Sequence, residues 1–389
     1  MPDPGSPARP YDLVVVGAGF AGLACARRAA ERGLSVLVLE RQSEPGEHVR
    51  TTGILVKEAW EEWGAPPHLV RRINRVRVYT PSHRFVQLER EGYFFMATDT
   101  GRLMRHLVCE TRRAGAEVRF GEKYRGVTVG RVSLDVNGSG ARCRFLVGAD
   151  GARSAVAASV GLDHNRRLLK GVEWEFEPVA GAGDSLHCFV DPECAPGYIG
   201  WVVPGVGATQ VGLAVHRRDR ADLRKFVRKI DGLFGLSGKR VLEKRGGLIP
   251  VGGLLRNFYS DRVVLIGDAA GMVSPLTAGG IHNAYRYGKL AADAVTEHLE
   301  EGGPHPGEVI RRAYPRLSVK RAARWSYDRL PVARVLETGL VTRNLFRSLA
   351  ERIFFDRAAG VRPPPRTSPG SCRASPGSPW TKPPAHRER

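Results

Sequence analysis

The chain has 389 residues, enough for two or three structural units with a sizeable core. It carries 60 Lys and Arg against 40 Asp and Glu, a net charge of +20, and this excess makes an anionic surface a candidate partner. Apolar residues at 42% exclude a wholly disordered chain, and six cysteines without a CxxC pair or Cys/His ligand spacing argue against a zinc module and a disulfide scaffold and fit a reducing cytoplasm.

Residues 1–10 hold no apolar stretch, so no signal peptide is expected. The longest apolar run, Leu13 to Ala26, is interrupted by glycines and too short to span a bilayer, so no transmembrane segment is expected either. Leu13–Val16 reads as a buried parallel strand. A helix follows from about Phe20 to Arg32, lined with small residues and stopped by Gly33, and then a second strand, Val36–Leu39. Gln42 to Trp60 is polar and irregular, and Arg75 to Tyr93 alternates like antiparallel strands. Arg102 to Arg113 reads as a helix; Val118–Phe120, Val132–Val136 and Arg144–Val147 read as short strands.

Between Val172 and His216 the pattern has period two, at Val172, Trp174 and Phe176 and again at Val211, Leu213 and Val215, which predicts an antiparallel sheet. A basic helix, Ala221 to Phe234, follows; Val263–Ile266 restores the buried parallel pattern and Ile281–Leu299 is helical. Val309 to Phe355 is helical, arginine-rich and interrupted by Pro315 and Pro331, and residues 301–389 hold 18 Lys/Arg against 7 Asp/Glu. Pro363 to Arg389 contains eight prolines and little that can form a core, so disorder is expected there.

Three stretches carry chemistry. Gly17-Ala18-Gly19-Phe20-Ala21-Gly22 is GxGxxG directly after a strand and opening a helix. Gly17 permits the tight turn, Gly19 a close approach to a pyrophosphate, and Gly22 close helix–strand packing, while the helix start at Phe20 and Ala21 offers free N–H groups. The second strand runs into Glu40, 23 residues after Gly17, where an acid can bond an adenosine ribose. Arg41 and Arg50 are grouped with it as cofactor-binding candidates. Phe145 to Gly148 leads into Ala149-Asp150-Gly151, and Val263 to Ile266 leads into Gly267-Asp268-Ala269-Ala270. An aspartate at a strand's C-terminal end can accept bonds from polyol hydroxyls or simply cap a helix.

Together and in this order, the three stretches resemble the flavoprotein superfamily of p-hydroxybenzoate hydroxylase. Gly267 to Ile281 and Tyr198-Ile-Gly-Trp-Val-Val-Pro204-Gly205 resemble its geranylgeranyl reductase branch, with one departure: the branch's Cys-Gly-Gly segment is replaced by His48-Val-Arg-Thr-Thr-Gly-Ile54, without cysteine. Thr100 also stands where the family's arginine would align. The resemblance implies an α/β protein: a Rossmann-like FAD-binding domain of glutathione reductase type, discontinuous in sequence, with an inserted antiparallel-sheet substrate domain and a helical C-terminus. The expected division is residues 8–74, 96–160 and 256–302 for the FAD-binding parts, 75–95 for strands directed toward the substrate domain, and 161–255 for the substrate domain. Residues 303–360 form the basic helical region and 361–389 the tail.

The resemblance also implies non-covalent FAD, with Asp268 on its ribityl chain, Asp150-Gly151 supporting the site, and hydride transfer from reduced FAD to a C=C bond of an isoprenoid or lipid. The loop Pro275 to Ile281, with Gly279 and Gly280, is expected to present N–H groups to the flavin N1 side. Tyr198, Trp201 and His282 are the catalytic candidates: the first two as pocket walls or core residues, Tyr198 also as a proton relay, and His282 as a proton donor or a structural histidine. A single GxGxxG leaves NAD(P)H without a domain of its own, so the electron donor is a transient NAD(P)H or a ferredoxin-like protein. The same fold also admits an FAD-dependent monooxygenase acting on an aromatic substrate, and a non-catalytic prenyl-binding protein like the Rab escort and GDP-dissociation-inhibitor proteins. The basic C-terminal region suits either a solvated face or peripheral association of a cytoplasmic enzyme with an anionic membrane, and no nucleic-acid motif accompanies it. No metal is expected.

Overall fold

The computed structural model describes residues 9–328 and 343–355. The expected tail and the segment between 329 and 342 lie outside the described residues. The chain begins with β1 (Tyr11–Val16), α1 (Phe20–Glu31), β2 (Val36–Leu39), β3 (Ile54–Val56) and α2 (Lys57–Trp63). It continues through β4 (Val70–Ile73), β5 (Arg75–Tyr79), β6 (Phe85–Glu89), β7 (Phe95–Thr98), α3 (Thr100–Arg113) and β8 (Glu117–Arg119). A hairpin of β9 (Val127–Val129) and β10 (Leu134–Val136) precedes β11 (Ala141–Gly148) and the short α4 (Ala155–Ser159). Then come β12 (Leu168–Phe176), β13 (Ser185–Phe189), β14 (Gly200–Pro204), β15 (Thr209–His216), α5 (Leu223–Phe234) and β16 (Val241–Pro250). The last elements are β17 (Tyr259–Ser260), β18 (Val263–Leu265), α6 (Ile281–Glu301), α7 (Pro306–Ala313), α8 (Ser318–Tyr327) and α9 (Arg343–Phe355).

The first sheet has the order β17-β18-β11-β1-β2-β8, with β10 and β9 attached to β11. Strands β18, β11, β1, β2 and β8 run parallel. Leu13, Val14, Val15, Leu37 and Val38 are fully buried, which is why their strands are continuous apolar runs rather than alternating ones. Helix α1 lies along α6, and its buried small residues Ala21, Ala24, Cys25 and Ala29 permit the approach.

The second sheet has the order β16-β12-β15-β14-β13-β5-β6 and is antiparallel except for the β13–β5 pair. Helix α5 covers one face, seating Phe226, Ile230 and Phe234 in a core with Val202, Val211, Leu213 and Val215. A small antiparallel sheet, β3-β7-β4, completes the set. One stretch departs from the sequence reading. The stretch to Trp60 is not irregular throughout: Ile54–Val56 pairs with β7 and Lys57 opens a helix that stops at Gly64. The C-terminal helical stretch is divided, as the sequence leads one to expect, at Pro315, which separates α7 from α8. At its end Phe355 is buried against Tyr93 and Phe95.

Candidate functional site

A cavity of about 920 Å³ runs between the two large sheets. One wall is made of the C-terminal ends of β1, β2 and β11 with the 273–281 loop; the other is made of β12, β14 and β16. Gly17, Gly19, Phe20 and Ala21 reach it from the first motif. At Gly17, with φ of +106°, an added Cβ would stand 2.4 Å from the Ala149 carbonyl oxygen; at Gly22 it would stand 1.9 Å from the Gly17 carbonyl oxygen. No side chain larger than hydrogen fits either place, so the turn stays tight and α1 starts at the cavity with its N–H groups free. Gly22 packs beneath the turn and does not reach the wall.

Glu40 also lines the cavity, and it fixes the motif loop: the Ala18 N–H donates to its Oε2 at 2.8 Å and the Gln42 N–H to its Oε1 at 3.0 Å. Each carboxylate oxygen keeps a further lone pair for a ligand hydroxyl. Arg41 and Arg50 stand at this end of the cavity. Partial burial and the neighbouring Arg41 charge hold the Arg50 guanidinium below its usual pKa, against the pull of Glu40.

Asp150 and Gly151 reach the wall as well. The Asp150 Oδ2 accepts from the Ala155 and Val156 N–H groups at 2.6 and 3.1 Å, so this carboxylate caps α4, while its buried Oδ1 has no partner among the described residues. Asp268 projects from a single turn of 3-10 helix after β18, and burial pushes its carboxyl up to about 6. What surface it shows faces the cavity rather than bulk water, and its side chain has no hydrogen bond among the described residues. Gly279, Gly280 and Ile281 bring the start of α6 to the same wall. Pro275 does not reach it.

Tyr198 and Trp201 face the cavity from the second sheet. The Tyr198 O–H donates to the Thr277 carbonyl at 2.6 Å, fastening the sheet to the 273–281 loop, and burial holds its phenol far above the usual range. The Trp201 Nε1–H donates to Glu173 Oε2 at 2.8 Å, and the ring lies over Gly212, where a Cβ would stand 2.5 Å from the indole. His282 is the exception. Its Nε2 pairs with Glu62 Oε2 at 3.0 Å on the α2 side of α6, outside the cavity wall, because consecutive helical residues lie about 100° apart.

Several cavity residues were not singled out in the sequence. Glu173 and Arg245 face each other across β12 and β16, and Thr52 donates to Glu173 Oε2 at 2.7 Å. From α8, Arg324 donates to the Gly197 carbonyl at 2.6 Å and the Tyr327 O–H to the Tyr198 carbonyl at 2.8 Å. Ala350, Ile353 and Phe354 of α9 close one side of the cavity. In His48 to Ile54, where the resemblance expects Cys-Gly-Gly, Gly53 packs against the hydroxyls of Thr98 and Thr100, and Thr100 lines the cavity. The cavity's cysteine is instead Cys188, whose thiol burial pushes up to about 12.

Two family models match: FAD-dependent oxidoreductase over residues 12–98 and lycopene cyclase protein over residues 218–356. Digeranylgeranylglycerophospholipid reductase 2 of Methanopyrus kandleri is 31% identical over 312 residues, covering 75% of this chain and 78% of the relative. The chain belongs to the geranylgeranyl reductase family of FAD-dependent oxidoreductases. Geranylgeranyl diphosphate reductase of Rhodobacter capsulatus, a further relative, is 29% identical, covering 78% of this chain and 80% of its own. Among solved structures, a geranylgeranyl bacteriochlorophyll reductase-like protein of Thermoplasma acidophilum superposes with a TM-score of 0.77 at 23% identity, covering 90% of this chain and 97% of its own. The p-nitrophenol 4-monooxygenase of Pseudomonas putida does so at 0.66 and 18% identity, covering 91% and 99%, which marks the architecture as common to reductases and oxygenases. No helix among the described residues is long and apolar enough to cross a membrane.

Proposed function

We propose that this member of the family saturates C=C bonds of an isoprenoid chain on a lipid, with FAD held non-covalently in the cavity. The observation that carries the reading is the continuity of that cavity. The three motif ends meet there, and the space extends without a partition to an apolar region walled by Leu186, Val190, Ile199, Ile353 and Phe354. The names of the relatives support the substrate class. The unpartnered Asp150 Oδ1 and the bare Asp268 carboxyl fit a polyol-bearing dinucleotide. On this reading residues 8–74, 96–160 and 256–302 hold FAD, while 161–255 with the strands of 75–95 cover the substrate.

Bound FAD supplies the hydride; the protein binds, orients and excludes water. The N–H groups of Phe20 and Ala21 at the start of α1 receive the pyrophosphate, with Gly17 and Gly19 allowing its approach. Glu40 takes the ribose hydroxyls, Arg41 and Arg50 offset the phosphate charge, and Asp268 accepts from the ribityl chain. Asp150 and Gly151 support the site through α4. Gly279, Gly280 and Ile281 direct N–H groups at the negative edge of the reduced ring. Tyr198 positions the loop through Thr277, and Trp201 walls the chain-binding space. His282 and Pro275 have no part in this scheme. The donor of electrons to the flavin is NAD(P)H visiting without a domain of its own, or a ferredoxin-like protein. The basic C-terminal helices bring a cytoplasmic enzyme to an anionic membrane.

Anaerobic reduction of the purified flavoprotein, followed by reoxidation against prenyl lipids and aromatic acids, tests the reading. A product heavier by two hydrogens is the expected result. A product heavier by one oxygen makes the chain an aromatic hydroxylase, and a purified protein without flavin makes it a prenyl-binding module.

A further inference from the structure

The loop that carries Gly279, Gly280 and Ile281 to the cavity is strained. Ala278 takes φ of +50°, the left-handed conformation that a residue with a Cβ rarely adopts. Such a conformation lasts only where the surroundings over-determine it. Part of the hold is local. The Ala278 N–H donates to the Ser274 carbonyl at 3.0 Å, the Ser274 N–H to the Gly279 carbonyl at 3.1 Å, and the Thr277 N–H to Ser274 Oγ at 3.3 Å. Local bonds alone leave the turn loose, because Gly279 and Gly280 open other conformations to it at little steric cost. Among the described residues, the hydrogen bond that reaches residues 274–279 from outside the loop is the one from the Tyr198 O–H to the Thr277 carbonyl at 2.6 Å. Tyr198 and Ala278 also pack against the same small core of Leu169, Ala214 and Val251.

What fixes Tyr198 lies farther out, on α8. Tyr198 ends the turn Pro196-Gly197-Tyr198 ahead of β14, and α8 takes the carbonyls of its last two residues. Arg324 Nη2 donates to the Gly197 carbonyl at 2.6 Å and the Tyr327 O–H to the Tyr198 carbonyl at 2.8 Å. On its other side the turn is closed by the His216 ring, 2.2 Å from where a Gly197 Cβ would stand. Arg324 is only 3% exposed. A buried guanidinium is costly to desolvate, and an apolar residue would seat a surface helix without that cost. Its charge is met by Asp328 Oδ1 at 2.8 Å, just past the end of α8. Its central carbon lies 5.9 Å from the Tyr198 ring centre and 5.7 Å from that of Tyr327. The cation is thus bound both to the turn and to the ring that fastens the loop.

We propose that α8 sets the geometry of the flavin-facing loop from a distance: Arg324 and Tyr327 are positioning residues that act through Tyr198 on Thr277 and Ala278. They hold the Gly279, Gly280 and Ile281 N–H groups in the strained arrangement that faces the cavity. This rests on the reading that places FAD against that loop. Preorganised donors favour the negatively charged reduced ring over the neutral oxidised one, and donors on a loosened loop favour it less. Release of the turn by α8 therefore shifts the flavin toward its oxidised form, although neither Arg324 nor Tyr327 is a catalytic residue.

The test reads the full-length protein with and without flavin. In the loaded protein, Arg324→Met is expected to reduce the preference for reduced over oxidised flavin roughly tenfold, which lowers the two-electron midpoint potential by about 30 mV. Tyr198→Phe is expected to lower it at least as far, and the double variant no further than Tyr198→Phe alone, because both act along one path. In the flavin-free protein, hydrogen exchange at the Ser274 and Ala278 amides is expected to be about tenfold faster in either variant than in wild type. A residue that merely anchors α8 would speed exchange within α8 and lower the unfolding midpoint, with the loop amides and the potential as in wild type. That result overturns the proposal, as do shifts in potential that add in the double variant. Tyr327→Phe removes a single hydroxyl and decides the matter if Arg324→Met does not fold: smaller shifts of the same sign support the coupling, and wild-type values overturn it. A wild-type protein that takes up no flavin overturns the FAD reading and this role with it, an outcome distinct from loop amides that stay protected in a variant that binds flavin.

Discussion

Asp268 combines burial with a bare carboxyl, and two outcomes follow at this residue. In the proposed complex it accepts a ribityl hydroxyl, and a hydrogen bond to a charged group is worth about 1.5–3 kcal/mol. Asp268→Ala is therefore expected to raise the FAD dissociation constant roughly 10- to 100-fold, measured by titrating apoprotein with FAD, and His282→Ala to leave it unchanged. The second outcome concerns the flavin-free protein. In the unfolded chain the carboxyl ionises from about 3.8, but in the fold it keeps its proton up to about 6. Its contribution to stability is whole below the unfolded value, drains between the two, and stays lost above the folded one. Asp268→Asn is expected to stabilise the apoprotein by about 2–3 kcal/mol at neutral pH and to lose that advantage below about pH 4, as urea unfolding of both proteins across pH would show.

Strand β15 carries Gly212 beneath the Trp201 ring, an approach that depends on the missing Cβ. Gly212→Ala is expected to displace the indole, break its bond to Glu173 and cost about 1–3 kcal/mol of stability; quenching of the tryptophan emission and a lowered unfolding midpoint would report both. The neighbouring strand β12 explains what could be read in the sequence and what could not. Period-two apolar residues at Val172, Trp174 and Phe176 identify the face that meets α5. The other face carries Gly171, Glu173 and Glu175, which by pattern alone is a solvated face. It becomes a cavity wall because the 50–53 loop folds over it, a contact some 120 residues away that no local period encodes. The first motif was legible because its chemistry is local: Gly17, Gly19 and Gly22 act within one turn, and Glu40 is fixed by one strand length. His282 was misleading for the opposite reason, since its place next to Ile281 in sequence says nothing of the helix face it occupies.

For the whole molecule, α9 and the basic charge have separable roles. Ala350 and Phe355 are buried, and α9 closes the cavity. Phe355→Ala is expected to cost about 3 kcal/mol and to increase quenching of bound flavin by iodide, whereas truncation after Gly360 is expected to leave flavin binding and folding nearly unchanged. The full-length protein is expected to sediment with anionic vesicles and not with neutral ones at low salt. That association should weaken as the screening length falls toward about 8 Å near physiological ionic strength. Equal recovery with both vesicle types would leave the basic face merely solvated.

The order of strands in the first sheet has a consequence for how the protein is made. β18 lies beside β11, yet more than a hundred residues and five of the seven strands of the second sheet, β12 to β16, are synthesised between them. Until Val263 has left the ribosome, β11 presents Leu146, Val147 and Gly148 along an open edge. Such an edge can recruit other chains, and it persists for several seconds at about 5–20 residues per second. Asp268 and the α6 start arrive later still. On the proposed reading a nascent chain therefore holds Gly17 and Glu40 in place long before Asp268 can help to retain a flavin, so supply of FAD during the last third of translation, rather than at its start, is expected to govern how much protein escapes aggregation.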